Sequence, residues 1–153
     1  MVIDHVDDNG QGGWFRGTTG DTIDCGSGMF PCEDGGNDHF SARAMYTGSD
    51  TISVDSRLIT SSIDLTTSTT AYIEYIESYT WSEDANDSNM VEVSTDGGAT
   101  WNVIHASNPE DVAEDIWFVT LDISEFAGSE ILVAFRYYDS MGYGENWLVD
   151  DIK

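Results

Sequence analysis

Hydrophobic positions along this chain recur every second residue far more often than every third or fourth. In residues 117–123, Trp117, Val119, Leu121 and Ile123 alternate with Phe118, Thr120 and Asp122, the period of a strand with one buried face. Ile131, Val133, Phe135 and Tyr137 mark a second such strand. The longest run is 70–81, with Ile73, Tyr75, Glu77, Tyr79 and Trp81 on one face and Tyr72, Glu74, Ile76, Ser78 and Thr80 on the other. Residues 40–46 alternate in the same way. Shorter strands are predicted at Val2-Ile3, 51–54, 57–65 and 147–152. Residues 25–42 and most of 1–24 are rich in glycine and acids and read as loop, with Trp14-Phe15 as an aromatic anchor. Ser124-Glu-Phe-Ala-Gly128 reads as a turn, or one helical turn capped by Ser124. Eight to ten short strands with almost no helix predict one antiparallel sandwich or barrel.

The strongest local signal is a hairpin over residues 90–104. Val91, Val93 and Thr95 are predicted to face inward, against Glu92 and Ser94. Asp96-Gly-Gly98 supplies residues that tolerate positive φ. Ser94-x-Asp96-x-Gly98-x-Thr100-Trp101 looks like an Asp-box. Its physics is structural: the Asp96 carboxylate accepts amides of its own turn, and Trp101 covers the hairpin base. A single copy argues against a propeller.

Composition changes the picture chiefly through charge. The chain has 153 residues, with 29 Asp+Glu against 5 Lys+Arg, a formal charge of −24. Such a surface repels nucleic-acid phosphates, so no nucleic-acid partner is expected. Dense like charge also favours bound divalent cations. No apolar run reaches membrane-spanning length, so no direct membrane insertion is expected. Cys25 and Cys32 flank a glycine-rich loop, which predicts a small-loop disulfide in an exported protein. The single module 1–153 reads as part of a larger extracellular protein.

The order of signatures resembles a known family. Leu58-Ile-Thr-Ser-Ser-Ile-Asp-Leu65 and a long aromatic strand precede Val91-Glu-Val-Ser-Thr-Asp-Gly-Gly-Ala-Thr-Trp101. Leu121-Asp-Ile-Ser-Glu-Phe-Ala-Gly128, Ile131-Leu-Val-Ala-Phe-Arg-Tyr137 and Asn146-Trp-Leu-Val-Asp-Asp-Ile152 follow, and Asn9-Gly-Gln-Gly-Gly-Trp14 looks like the family's opening. The set resembles the MAM-like jelly rolls of secreted bacterial proteins: cleaved-adhesin and choice-of-anchor J modules, and the C-terminal module of immune-inhibitor-A metallopeptidases. The resemblance implies a galactose-binding-like/MAM-like antiparallel jelly-roll β-sandwich. It also implies a non-catalytic accessory module, often holding Ca2+, that serves adhesion, targeting or assembly. Its ligand is then an extracellular glycan or protein, or other domains of the parent protein. The segment 20–37 departs from the family pattern.

Three kinds of chemistry follow from the residues. Calcium takes six to eight oxygens and tolerates loop carbonyls. The favoured cluster is Asp4, Asp7 and Asp150 beside Asp151, because the resemblance places the opening segment next to the final strand. Glu77 with Asp84 and Asp87 is second, and Glu33-Asp34…Asp38 is third. The competing reading is solvated surface acid. For a sugar-binding face, Tyr79, Trp81, Tyr138 and Tyr143 stand near loop ends, where rings can stack on pyranoses. Trp14, Trp101, Trp117 and Trp147 sit instead at inward or turn-anchoring positions. Catalysis is not expected: His5, His39 and His105 are scattered, and neither Ser107 nor Ser140 has a nucleophile motif.

Overall fold

The computed structural model describes residues 2–5, 12–17, 39–44, 53–79, 88–107, 117–140 and 146–153. These form β1 (Val2–His5), β2 (Gly12–Gly17), β3 (His39–Ala44), β4 (Val54–Ile59), β5 (Ile63–Asp64) and β6 (Tyr72–Tyr79). After them come β7 (Ser88–Ser94), β8 (Asn102–Ser107), β9 (Trp117–Asp122), β10 (Glu130–Asp139) and β11 (Asn146–Asp150). The first sheet has the order β1-β4-β10-β7-β8, with β5 also pairing β10, and the second has the order β2-β3-β11-β6-β9. All the pairings are antiparallel. The chain passes back and forth between the sheets, and the result is the jelly-roll sandwich expected from the alternation.

The core is aromatic at its centre. Trp14 and Trp147 are 2% and 0% exposed, with ring centroids 5.1 Å apart. Phe135 reaches across from the first sheet, 5.9 Å from Trp147 and edge-on to Tyr75 at 5.1 Å. The Trp14 indole donates to the Ser56 carbonyl at 3.2 Å, so the buried N–H is satisfied. Each ring pair adds about 0.5–1.5 kcal/mol beyond its buried area. Ile131, Val133, Phe135 and Tyr137 are all buried, as their alternation requires. In β9, Phe118, Thr120 and Asp122 are exposed while Trp117, Val119 and Leu121 are half-buried.

Four local expectations are corrected. Residues 12–17 form a strand, β2, despite their glycines, because pairing with β3 uses main-chain groups and Trp14 anchors it in the core. In β7, Val91, Glu92, Val93 and Ser94 are all buried, whereas Thr95 is exposed. This strand lies inside the sheet, and Glu92 is covered by cations described below. Ser124 does not cap its 3-10 turn, whose N-cap is Ile123 with no side-chain bond. Its hydroxyl accepts from the Ala71 amide at 3.1 Å instead. Finally, β1 pairs with β4, and β11 lies in the other sheet between β3 and β6, so the opening and final strands share no ladder.

Candidate functional site

The outer face of the first sheet carries the densest polar construction among the described residues. Alternation on β4 sends Val54, Ser56 and Leu58 inward and Asp55 and Arg57 outward. On β10 it sends Phe135 and Tyr137 inward and Arg136 and Tyr138 outward. Arg57 and Arg136 are direct cross-strand partners, a like-charge contact that must be neutralised. Glu92, on the neighbouring β7, does so. Its Oε2 accepts from Arg57 Nε at 2.7 Å, and its Oε1 accepts from Arg136 Nη1 at 3.5 Å. Asp55 completes the set with a bidentate pair to Arg136, 2.7 Å from Nε and 2.7 Å from Nη2.

The Glu92 side chain is only 3% exposed. A carboxylate so desolvated is tolerable because two guanidiniums hold it. Hydrogen bonds donated to Asp55 are the main reason the Arg136 pKa is raised above the usual guanidinium value. An aromatic ring closes each end of the line. The Arg57 guanidinium carbon lies 5.7 Å from the Trp101 ring centroid, and that of Arg136 lies 6.0 Å from Tyr138. Two cations and two anions make the network formally neutral, on a chain that carries −24 overall.

The hairpin at residues 95–101 positions Trp101. Ser94 Oγ donates to Asp96 Oδ1 at 2.8 Å and accepts the Gly98 amide at 2.8 Å. Asp96 accepts the Thr100 amide at 2.9 Å and the Thr100 hydroxyl at 2.6 Å. These bonds, the Thr100 hydroxyl's first, lower the Asp96 pKa to about 2. Gly97 and Gly98 take φ of 74° and 93°, which a side chain would strain. The turn chemistry read from the Asp-box is therefore present, and it holds Trp101 against Arg57.

The predicted site residues fall in different places. Tyr138 belongs to the network. The backbone of Tyr79 is in β6; Trp81 and Tyr143 lie outside the described residues. Asp7, Asp84, Asp87 and the pair Cys25 and Cys32 also lie outside them. Asp4 stands opposite Arg57 in the first sheet and Asp150 opposite Ile76 in the second, so the two strands that carry them are not ladder neighbours. The last strand ends at Asp150, short of the predicted 147–152. Asp151 lies past the strand end at φ 51°, and its amide donates to Asp150 Oδ1 at 2.7 Å. Lys153 then rejoins β6 through two backbone bonds with Glu74.

Glu77 points into the sandwich. It is 2% exposed and accepts from the Trp147 indole at 3.0 Å. Burial raises its pKa; the bond from Trp147 and the nearby Ser107 hydroxyl act in the opposite direction. Ser107 Oγ is buried and falls short of full hydrogen-bond geometry. His105 is half-buried, and desolvation lowers its pKa. Among the described residues no group of three His, Cys, Asp or Glu side chains could hold a metal ion. Sequence reasoning passed over Arg57, Glu92, Arg136, Asp55 and Trp101 as a binding face. The available signal was two of the chain's five cations, each in mid-strand.

Fold and face together define a jelly-roll β-sandwich module with an aromatic-flanked, ion-paired sheet surface. Solved structures with the same architecture are cleaved adhesin domains of Lys-gingipain. The K1 domain, from Porphyromonas gingivalis W83, superposes with a TM-score of 0.65 at 19% identity, covering 99% of this chain and 89% of that one. The K2 domain gives 0.63 at 19% identity over 98% and 86%. The K3 domain, again from P. gingivalis W83, gives 0.62 at 16% identity over 98% and 88%. At these identities the likeness establishes the fold. No family model matches the chain, and no curated protein matches it. No helix among the described residues is long and apolar enough to cross a membrane.

Proposed function

We propose that this chain is a non-catalytic, extracellular binding module whose first-sheet outer face takes carbohydrate. One observation carries the reading: Trp101 and Tyr138 stand at the two ends of the Arg57–Glu92–Arg136–Asp55 network. Aromatic faces cover the C–H faces of pyranose rings. Guanidinium N–H groups and carboxylate oxygens supply fixed donors and acceptors for hydroxyls. The ion pairs hold these groups in place before any ligand arrives, which lowers the entropic cost of binding. A glycan array, read with and without calcium, tests it. Binding that is lost in Trp101→Ala and Tyr138→Ala supports the reading; silence across neutral and acidic glycans ends it.

Calcium stabilisation is proposed on narrower grounds. It rests on the charge of −24 and on Asp7, Asp84 and Asp87, not on the described carboxylates. The Cys25–Cys32 disulfide rests on sequence spacing; a two-dalton mass increase on reduction tests it. The second reading is a protein-assembly module accessory to a secreted peptidase or other enzyme. The exposed aromatics of the opposite sheet favour it.

A further inference from the structure

The outer face of the second sheet carries a surface of different chemistry. On the β6–β9 ladder Phe118 stands opposite Ile76, Thr120 opposite Glu74, and Tyr72 opposite Asp122. Phe118 is 83% exposed and Tyr72 57%. A shallow depression of about 160 Å³ lies beside Phe118, lined in part by Glu74, Ile76, Phe118, Thr120, Asp151 and Lys153. Among the described strands β9 pairs only with β6, so it is an edge of the described sheet. Soluble proteins blunt such edges with lysine, proline, bulges or inward charges. Trp117-Phe-Val-Thr-Leu-Asp122 has no lysine, no proline and no inward charge.

Charge decides what fits. The exposed carboxylates of Glu74, Asp122 and Asp151 stand around the apolar groups, with Lys153 the one cation beside the depression among the described residues. A second copy of this chain carries the same net charge of −24, and self-repulsion opposes that contact. The complementary ligand is apolar at alternate positions and basic between them. We infer that the β9 edge and the Phe118 depression dock an extended segment of a protein partner that alternates apolar and basic side chains. The segment adds a strand to the second sheet through main-chain hydrogen bonds. Its apolar side chains cover Phe118 and Ile76. A lysine or arginine reaches Glu74 and Asp151, and can lie over the Phe118 ring. The surface is separate from the proposed glycan face.

The test uses three synthetic hexapeptides: alternating Lys–Val, all-Lys, and alternating Glu–Val. Affinity is read by fluorescence anisotropy at physiological salt, and the contact by backbone amide shifts. The Lys–Val peptide is expected to bind most tightly and to shift amides of residues 117–122. Phe118→Ser, which leaves charge and the inner face of β9 unchanged, is expected to weaken it about tenfold. Tyr138→Ala, on the opposite sheet, should leave the affinity unchanged. Equal binding of the all-Lys peptide would show attraction by bulk charge alone and overturn the proposal. So would an unaffected Phe118→Ser variant, amide shifts confined to the first sheet, or a dimer in sedimentation that Phe118→Ser dissolves.

Discussion

Glu77 and Trp147 meet inside the sandwich, where the indole N–H donates to the carboxylate across 3.0 Å on adjacent strands of the second sheet. The bond satisfies a buried donor but leaves a buried charge without a cation among the described contacts.

The direction of the Glu77 shift sets its pH dependence. Burial raises the folded-state pKa above the ordinary carboxylate value, so the unfolded carboxyl ionises first. The folded state then holds more protons, and stability falls as pH rises from the ordinary carboxylate range through the raised folded pKa. Glu77→Gln keeps an acceptor for Trp147 and removes this loss. Urea melts at stepped pH are expected to show the variant gaining on the native chain across that window and holding its advantage above it. Glu77→Ala leaves the indole unsatisfied and is expected to cost about 1–3 kcal/mol.

Glu92 is the hinge of the outer-face network. Its removal leaves Arg57 and Arg136 facing each other across one ladder position with only Asp55 between them and an uncompensated charge. Glu92→Ala is expected to cost about 3–5 kcal/mol in urea unfolding, the range for breaking a buried ion pair. Asp55→Ala, at the more exposed end of the network, is expected to cost less.

Asp96 has the opposite sign to Glu77. Its hydrogen bonds to Thr100 and Ser94 depress its folded pKa to about 2. Its contribution is therefore full above the ordinary carboxylate pKa and is lost as pH falls from there to about 2. Asp96→Ala is expected to lower the melting temperature by a few degrees at neutral pH. The gap between variant and native melts should close on acidification.

Trp101→Ala and Tyr138→Ala separate binding from folding. Both rings are partly exposed and stand at the ends of the network. Each substitution is expected to reduce glycan affinity tenfold or more, on the order of 1.4 kcal/mol. The melting temperature should move far less than in Glu92→Ala. Titration calorimetry beside thermal melts would show the two effects apart.

Chelation addresses the charge of the whole chain. If divalent ions neutralise part of the −24, a chelator is expected to lower the melting temperature by several degrees, with recovery on adding calcium. An unchanged melt refutes calcium stabilisation.

Much of the architecture was readable from alternation. Residues 117–122 and 131–137 show directly which side faces the core, because a strand packed on one face repeats every second residue. The turn chemistry of Ser94, Asp96 and Thr100 was readable for a related reason: every bond in it spans four residues or fewer. β2 was not readable, since its pairing uses main-chain atoms that every residue has.

The amino-acid sequence alone determined an all-strand sandwich, the Asp96 hairpin, the strand faces and the negative surface. These follow from local periodicity, local hydrogen bonding and composition. Tertiary structure alone decided that Arg57, Glu92, Arg136 and Asp55 meet, since their bonds join residues 35, 44 and 81 positions apart. It also decided that Glu77 faces Trp147, and that Asp4 and Asp150 belong to different sheets. Strand order and register set those neighbours, and both depend on how the whole chain buries its apolar faces at once.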